Sequence, residues 1–205
     1  QRQMCIRDRV INAMGNFMQF YFQSQRIVFL HLGLWIIQSV RHEFGDRYTF
    51  AELCKEAEET DYITSRIDVN NKCFLAPENM TEAIKSYCNN NDLIIPDTAG
   101  EIAAVVYKSL ADSYADTVMQ IEKNLDITYD AIYVIGGGAN AGYLNQLTAD
   151  STGKTVVAGP AEATAIGNIM AQMIADSVFK NLKEARACVR AVSYTHLTLP
   201  TNSLV

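Results

Sequence analysis

The chain lacks the cysteine spacings that bind zinc and the basic clusters that bind nucleic acid. Its 5 cysteines form no C-x-x-C pair, which favours ordinary thiols of a reducing cytoplasm over a metal site or a disulfide framework. The 17 Lys and Arg residues are scattered and the net charge is −6, so no concentrated cationic surface is expected. We therefore predict a cytoplasmic protein with no nucleic-acid partner and no metal-ligating residues.

Long hydrophobic runs are also missing. The longest, residues 27–37, contains His31 and is shorter than the roughly 20 apolar residues that a membrane-spanning helix needs. We expect it to lie in a core, with no membrane partner. A composition of 49% hydrophobic and 20% charged residues is typical of a chain that can bury such a core.

Both ends are predicted to be non-native. Residues 1–9 and 192–205 resemble translations of the two strands of one transposon end sequence used in sequencing-library preparation. Such a match at each end indicates adaptor sequence read as coding sequence, so we expect the natural start and stop to be lost. Residues 10–30 leave two interpretations open, a genuine helix or a wrong reading frame, and are assigned no role.

Between these ends the apolar pattern predicts alternating helices and strands. Thr49 and Glu52, and likewise Thr98 and Glu101, have the spacing of capping boxes that begin helices. A parallel pair of strands between helices indicates an α/β fold, and further strands are expected upstream of residue 30 because two strands are not stable alone. The predicted helices cover residues 32–45, 50–59, 79–88, 99–124, 141–149, 161–176 and 182–190, and the predicted strands cover 131–135 and 155–158.

Three consecutive glycines, Gly136, Gly137 and Gly138, stand between a predicted strand and a predicted helix. Glycines permit a positive φ and leave no Cβ in the way of a ligand. The helix that follows presents unpaired N–H groups and the positive end of its dipole. This pattern predicts a phosphate-binding loop.

Two kinds of nucleotide-binding fold use such a loop. The glycines fit G-x-G-x-x-A, which occurs in dinucleotide-binding domains, but those domains need an acidic residue at the end of the next strand. Here that strand ends in Val157, Ala158, Gly159 and Pro160. The pattern G-x-x-x-x-G-K-[ST] is absent as well. A dinucleotide-binding oxidoreductase module therefore stays an alternative and is not the preferred prediction.

Several longer segments carry a more specific resemblance. Over residues 31–191 the chain resembles the C-terminal domain of the FGGY carbohydrate kinases, and within that family it is most similar to the kinases of L-rhamnulose. The segments concerned are 33–38 (GLWIIQ), 74–77 (FLAP), 96–101 (PDTAGE), 134–138 (VIGGG), 144–150 (LNQLTAD) and 158–168 (AGPAEATAIGN).

The resemblance implies a helix-rich, incomplete C-terminal domain of the actin-like, hexokinase-like (ribonuclease H-like) ATPase fold. It implies ATP and Mg²⁺ as cofactors and phosphorylation of L-rhamnulose at the 1-hydroxyl, with xylulose, fuculose or glycerol as alternative substrates. The three glycines, Gln38 and Asn145 would bind the nucleotide. No catalytic residue is expected here, because the catalytic Asp belongs to the missing N-terminal domain, and the chain alone is predicted to be inactive.

One position departs from the family pattern. An Asn that touches the sugar usually precedes the Gly-Leu-Trp segment, and Leu30 stands at that place. Either the specificity has changed or the sequence upstream of Gly33 is out of frame.

The aromatic residues have two possible roles, stacking on adenine or packing in the core. Their helical and strand spacing favours the core. The residues concerned are Trp35, Tyr107, Tyr114, Tyr133 and Tyr143.

Overall fold

Helices make up most of the computed structural model, which describes residues 34–60, 62–192 and 196–201. The predictions for residues 1–9 and 10–30 lie outside this part. Every helix and strand predicted from the sequence is present, with ends that differ by a few residues. The helices are α1 Leu34–Glu43, α2 Phe50–Glu59, α3 Met80–Asn90, α4 Ala99–Leu125, α5 Gly142–Thr152, α6 Ala163–Ala175 and α7 Leu182–Val192, and the strands are β1 Ala131–Val134, β2 Thr155–Ala158 and β3 His196–Thr198.

Helix α4 lies at the centre of the core. Residues 102–111 of this helix are all buried, whereas most of its second half is partly or fully exposed. A helix that is buried on every side needs neighbours on every side, and α2 and α5 pack along it. Ala103 and Ala104 are fully buried and leave room for these neighbours to approach.

Both predicted capping boxes are confirmed. The N–H of Glu52 donates to Thr49 Oγ1 at 3.2 Å, and the N–H of Glu101 donates to Thr98 Oγ1 at 3.2 Å. Each glutamate side chain in turn accepts from the N–H of its threonine. The Tyr62 hydroxyl donates to Glu101 at 2.6 Å and is the main cause of the lowered pKa of that carboxyl. Local sequence therefore determines where α2 and α4 begin.

The connector between α2 and α3, residues 62–79, packs against α4 and includes a short 3₁₀ helix, Lys72–Phe74. Lys108 is 5% exposed, and its ammonium donates to the Ile63 carbonyl at 2.9 Å. The Ile67 N–H donates to Ser109 Oγ at 2.9 Å. These buried side chains of α4 provide hydrogen-bond partners for backbone groups of the connector, which belongs to no strand of the described sheet.

The sheet combines the expected parallel pair with an unexpected third strand. β1 and β2 are parallel, with Ala131 opposite Thr155. β3 is antiparallel to β2 and lies in the tail that was predicted to be non-native. The Thr201 N–H also donates to Asp150 on α5 at 2.7 Å. The predicted parallel pair is thus confirmed, and the tail adds a strand that the sequence did not predict; the adaptor origin of the tail stays a prediction.

The other edge of the described sheet, β1, carries large exposed apolar side chains. Tyr133 is 66% exposed and Ile135 is 59% exposed, and Ile169 on α6 is 56% exposed. The core role expected for Tyr133 is therefore wrong in this structure, as it is for Trp35, which is 44% exposed. Exposed apolar side chains grouped in this way mark a surface that other parts of a protein cover.

A hydrogen-bonded ion pair joins the end of α4 to the start of the sheet. The Lys154 ammonium contacts the Glu122 carboxylate at 2.7 Å and donates to the Tyr129 carbonyl at 2.8 Å. The Tyr129 N–H donates to the same carboxylate at 2.7 Å. These bonds, the one from Lys154 first, hold the pKa of Glu122 below its usual value of 4.5. The network therefore closes the turn between α4 and β1.

Glu122→Gln is expected to lower the free energy of unfolding by about 1 kcal/mol near neutral pH, because a charged hydrogen-bond acceptor is lost. The folded-state pKa lies below the unfolded value, so this stabilisation is present above pH 4.5 and is lost as the pH falls through the folded-state pKa. The difference in the free energy of unfolding between wild type and Glu122→Gln should therefore become smaller as the pH falls. Urea unfolding at several pH values, from about 7 to about 3, measures it.

Glu59→Gln is the matched control. Glu59 pairs with Lys55 at 3.9 Å, and both side chains are largely exposed. Its loss should change the free energy of unfolding by less than about 0.5 kcal/mol at every pH. A gap for Glu122→Gln that stays constant down to the lowest pH would contradict the role given to the ion pair.

Candidate functional site

The glycine loop follows β1, and its first glycine has a backbone conformation that only glycine adopts easily. Gly136 has φ 81° and ψ −161°. Its N–H donates to the Pro160 carbonyl at 3.3 Å, and the Gly159 N–H donates to the Val134 carbonyl at 2.8 Å. The loops after both parallel strands are thus tied together. Gly136 turns the chain away from the sheet at this point.

Gly138 is required for a different reason. It is buried, and a Cβ added there would lie 3.2 Å from Leu34 Cδ1 and 3.6 Å from Val134 Cγ1. The loop therefore packs against the first residue of α1. A Cβ at this position would require the Leu34 side chain to shift by a few tenths of an ångström.

Gly137 is constrained by neither cause. It is exposed, its φ is not positive, and a Cβ added there would meet no atom within 4 Å. Open space above a glycine is what a ligand needs in order to approach the backbone closely. Gly137 is thus the glycine of the loop with room for a ligand.

The beginning of α5 adds hydrogen-bond donors beside this open space. Its N-cap residue is Ala141, and the helix start has no side-chain capping bond in the described structure. Gly142, the first helical residue, also has no atom within 4 Å of an added Cβ. The first N–H groups of a helix lack partners within the helix and favour an anion. In α5 the Tyr143 N–H is used by the Cys54 sulfur, which leaves its neighbours in the first turn for a ligand. The loop and the helix start together can therefore hold a phosphate.

Gln38 lies on α1, the helix that packs against the loop. It is exposed and follows Leu34 by four residues, so it shares the helical face that meets Gly138. Its amide can donate and accept hydrogen bonds along that face. Gln38 therefore lies one helical turn from Leu34, the residue of α1 that meets the loop.

Asn145 is placed differently from the other predicted residues. Its side chain is 3% exposed, and its amide donates to the Ala139 carbonyl at 3.1 Å. This donor is therefore used inside the protein, beneath the loop. The sequence shows an amide on the helix after the glycines, but it does not show that the amide points inward.

Two tyrosines and a cysteine form the floor under this region. The rings of Tyr107 and Tyr143 meet edge to face at 6.1 Å, and the Cys54 thiol donates to the Tyr107 hydroxyl at 3.3 Å. Tyr107 is buried and Tyr143 packs against the core, as their spacing predicts. Burial raises the pKa of the Cys54 thiol, so it stays protonated near neutral pH. The floor is structural and offers no nucleophile.

Among the residues that the structure describes, no three or more His, Cys, Asp or Glu side chains are grouped to hold a metal ion. No helix in the described ranges is long and apolar enough to cross a membrane.

Comparison with known proteins identifies a family and several relatives of this chain. The sequence model for the FGGY family of carbohydrate kinases, C-terminal domain, matches residues 5–175. The rhamnulokinase of Bacillus subtilis (strain 168) is 45% identical over 159 residues, which are 78% of this chain and 33% of that protein. The rhamnulokinase of Oceanobacillus iheyensis is also 45% identical over 159 residues, 78% of this chain and 34% of that protein.

A more distant relative gives the same result. The rhamnulokinase of Bacteroides thetaiotaomicron is 36% identical over 140 residues, 68% of this chain and 29% of that protein. The chain therefore spans about one third of the length of the curated relatives it matches.

Proposed function

The chain belongs to the FGGY family of carbohydrate kinases, as part of the C-terminal domain, and we propose that it supplies the ATP-binding wall of a rhamnulokinase. Its fold is an incomplete α/β domain of the actin-like ATPase class. The parent enzyme transfers the γ-phosphoryl group of ATP to the 1-hydroxyl of L-rhamnulose. Support for this substrate comes from relatives at 36% to 45% identity, which are named rhamnulokinases.

The observation that carries the proposal is the open glycine loop beside an uncapped helix start. Gly137 leaves space for a ligand, and α5 begins five residues later without a side-chain capping bond. Backbone N–H groups and the helix dipole stabilise phosphate oxygens. Gln38 adds an exposed amide on the neighbouring helix. We assign the nucleotide phosphates to this loop and a polar nucleotide contact to Gln38.

The reaction itself needs more than this chain. ATP supplies the phosphoryl group, and Mg²⁺ neutralises its charge during transfer. The residues of this chain bind and orient the phosphates, whereas the base that takes the proton of the sugar hydroxyl belongs to the missing part of the enzyme. The exposed apolar side chains of Tyr133 and Ile135 are where the rest of the domain packs. The chain alone is inactive on this proposal.

Nucleotide titration tests the binding part of the proposal. The 205-residue chain should bind ATP and ADP but not NAD, because the strand after the loop ends without a carboxylate for a ribose. Isothermal titration calorimetry with each nucleotide measures this directly. Binding of NAD without ATP would replace the kinase proposal with the dinucleotide-binding alternative.

The sugar is tested in the same series with the full-length enzyme. A panel of ketoses and polyols should give the highest kcat/KM with L-rhamnulose, and the 205-residue chain should give no turnover with any of them. A preference for xylulose, fuculose or glycerol would keep the family and replace the substrate.

A further inference from the structure

Asn145 joins the first turn of α5 to the glycine loop at two points. Its buried side-chain amide donates to the Ala139 carbonyl at 3.1 Å. Its backbone N–H donates to the Ala141 carbonyl at 2.9 Å. Ala139 is itself 8% exposed, so this contact lies on the inner side of the loop.

The amide of Asn145 acts on a tightly wound part of the loop. The Ala139 N–H donates to the Gly136 carbonyl at 3.0 Å, and the Ala141 N–H donates to the Gly138 carbonyl at 3.1 Å. These bonds fix the backbone on either side of the Ala139 carbonyl. A peptide unit is planar, so a bond to its carbonyl also fixes the direction of the N–H in the same plane. Asn145 therefore sets the orientation of the peptide between residues 139 and 140.

We propose that Asn145 is a positioning residue, which governs phosphate binding through the glycine loop and not by touching the nucleotide. The inference rests on the proposed function. Without the amide, the buried Ala139 carbonyl loses its partner and the loop rotates to find water. The Asn140 N–H, which shares a peptide plane with this carbonyl, then loses its fixed direction, and the loop no longer presents its backbone to one phosphate.

Asn145→Leu tests the proposal, because leucine has a similar size and no donor. The affinities of the 205-residue chain for ADP and for adenosine are measured by calorimetry. The variant should bind ADP about tenfold more weakly, the effect of one lost hydrogen bond. Adenosine, which has no phosphate, should bind as it does to the wild type.

Thr148→Val is the matched control. Thr148 lies one turn further along α5, is also 3% exposed, and its hydroxyl donates to the Leu144 carbonyl at 2.7 Å. Its replacement removes a buried donor from the same helix without touching the loop. This variant should melt at a lower temperature and keep the ADP affinity of the wild type within about twofold.

Asn145→Asp adds a pH-dependent readout. A protonated aspartic acid can donate to the Ala139 carbonyl, whereas an ionised one cannot. The ADP affinity of this variant should therefore approach that of the wild type as the pH falls, while Thr148→Val shows no such recovery. This experiment also decides the question if Asn145→Leu does not fold.

The other outcomes separate the two proposals. Equal losses for ADP and adenosine would mean that Asn145 contacts the nucleoside directly, which overturns the positioning role. An ADP loss in Thr148→Val as large as in Asn145→Leu would assign the effect to helix stability. If the wild-type chain binds ADP and Asn145→Leu binds it with the same affinity, the positioning role of Asn145 is wrong and the proposed function stands. A wild-type chain that binds no nucleotide removes the proposed function as well.

Discussion

Replacing Gly100 with alanine should lower the free energy of unfolding by about 1 to 3 kcal/mol. Gly100 lies in the first turn of α4, and a Cβ added there would be 3.0 Å from both the Cβ and the carbonyl oxygen of Glu56 on α2. The carbonyl belongs to the backbone and cannot rotate away. The two helices would have to separate, and α4 is the centre of the core. Urea unfolding of the two proteins measures the difference.

Gly167 provides a control of opposite sign. It is also a helical glycine, in α6, but no atom lies within 4 Å of its added Cβ. Gly167→Ala should therefore raise the free energy of unfolding by about 0.5 to 1 kcal/mol, the difference in helix propensity. Equal effects at the two positions would contradict the close contact between α2 and α4.

The second large effect is expected in the glycine loop, where two neighbouring glycines should respond in opposite ways to the same change. Gly136→Ala should lower the free energy of unfolding by about 1 to 3 kcal/mol, because alanine is strained at φ 81° and ψ −161°. Gly137→Ala should leave it unchanged or raise it by up to about 1 kcal/mol, since no atom opposes the new methyl group.

Gly137→Ala, which should not lower the free energy of unfolding, should nevertheless weaken nucleotide binding. Its new methyl group stands where we assign the phosphates, so the ADP affinity should fall about tenfold although the fold is intact. Thermal unfolding and calorimetric titration of the same samples separate the two effects. If Gly137→Ala binds ADP as well as the wild type, the phosphates do not approach this glycine.

Features that depend on neighbouring residues could be predicted from the sequence. The capping boxes at Thr49 and Thr98 form as expected, because all partners lie within one helical turn. The long periodic helix α4 and the two parallel strands are present for the same reason. The place of the glycine loop, between β1 and α5, also follows from local pattern alone.

Contacts between distant residues could not be predicted. Glu43, at the end of α1, accepts hydrogen bonds from the N–H groups of Met80 and Thr81 and so holds the start of α3. Lys108 satisfies a carbonyl of the connector at Ile63. The sequence around Glu43 or Lys108 does not indicate these partners, because they lie more than 30 residues away.

The burial of individual side chains was the other feature that the sequence predicted incorrectly. A periodic pattern shows which residues share a face, but it does not show whether another element covers that face. Trp35 and Tyr133 fit an apolar pattern, and both are exposed in the described structure. Tyr107 fits the same kind of pattern and is fully enclosed, because α4 lies between other helices.

The sequence by itself determined the α/β class, the starts of the two helices with capping boxes, the position of the glycine loop and the carbohydrate kinase family. Only the tertiary structure separated the glycines by cause: Gly136 by its backbone conformation, Gly138 by contact with Leu34, and Gly137 by open space. It also turned the amide of Asn145 inward to Ala139. The physical reason is that a Cβ contact or a buried hydrogen bond depends on what packs opposite a residue, and that partner can lie anywhere in the chain.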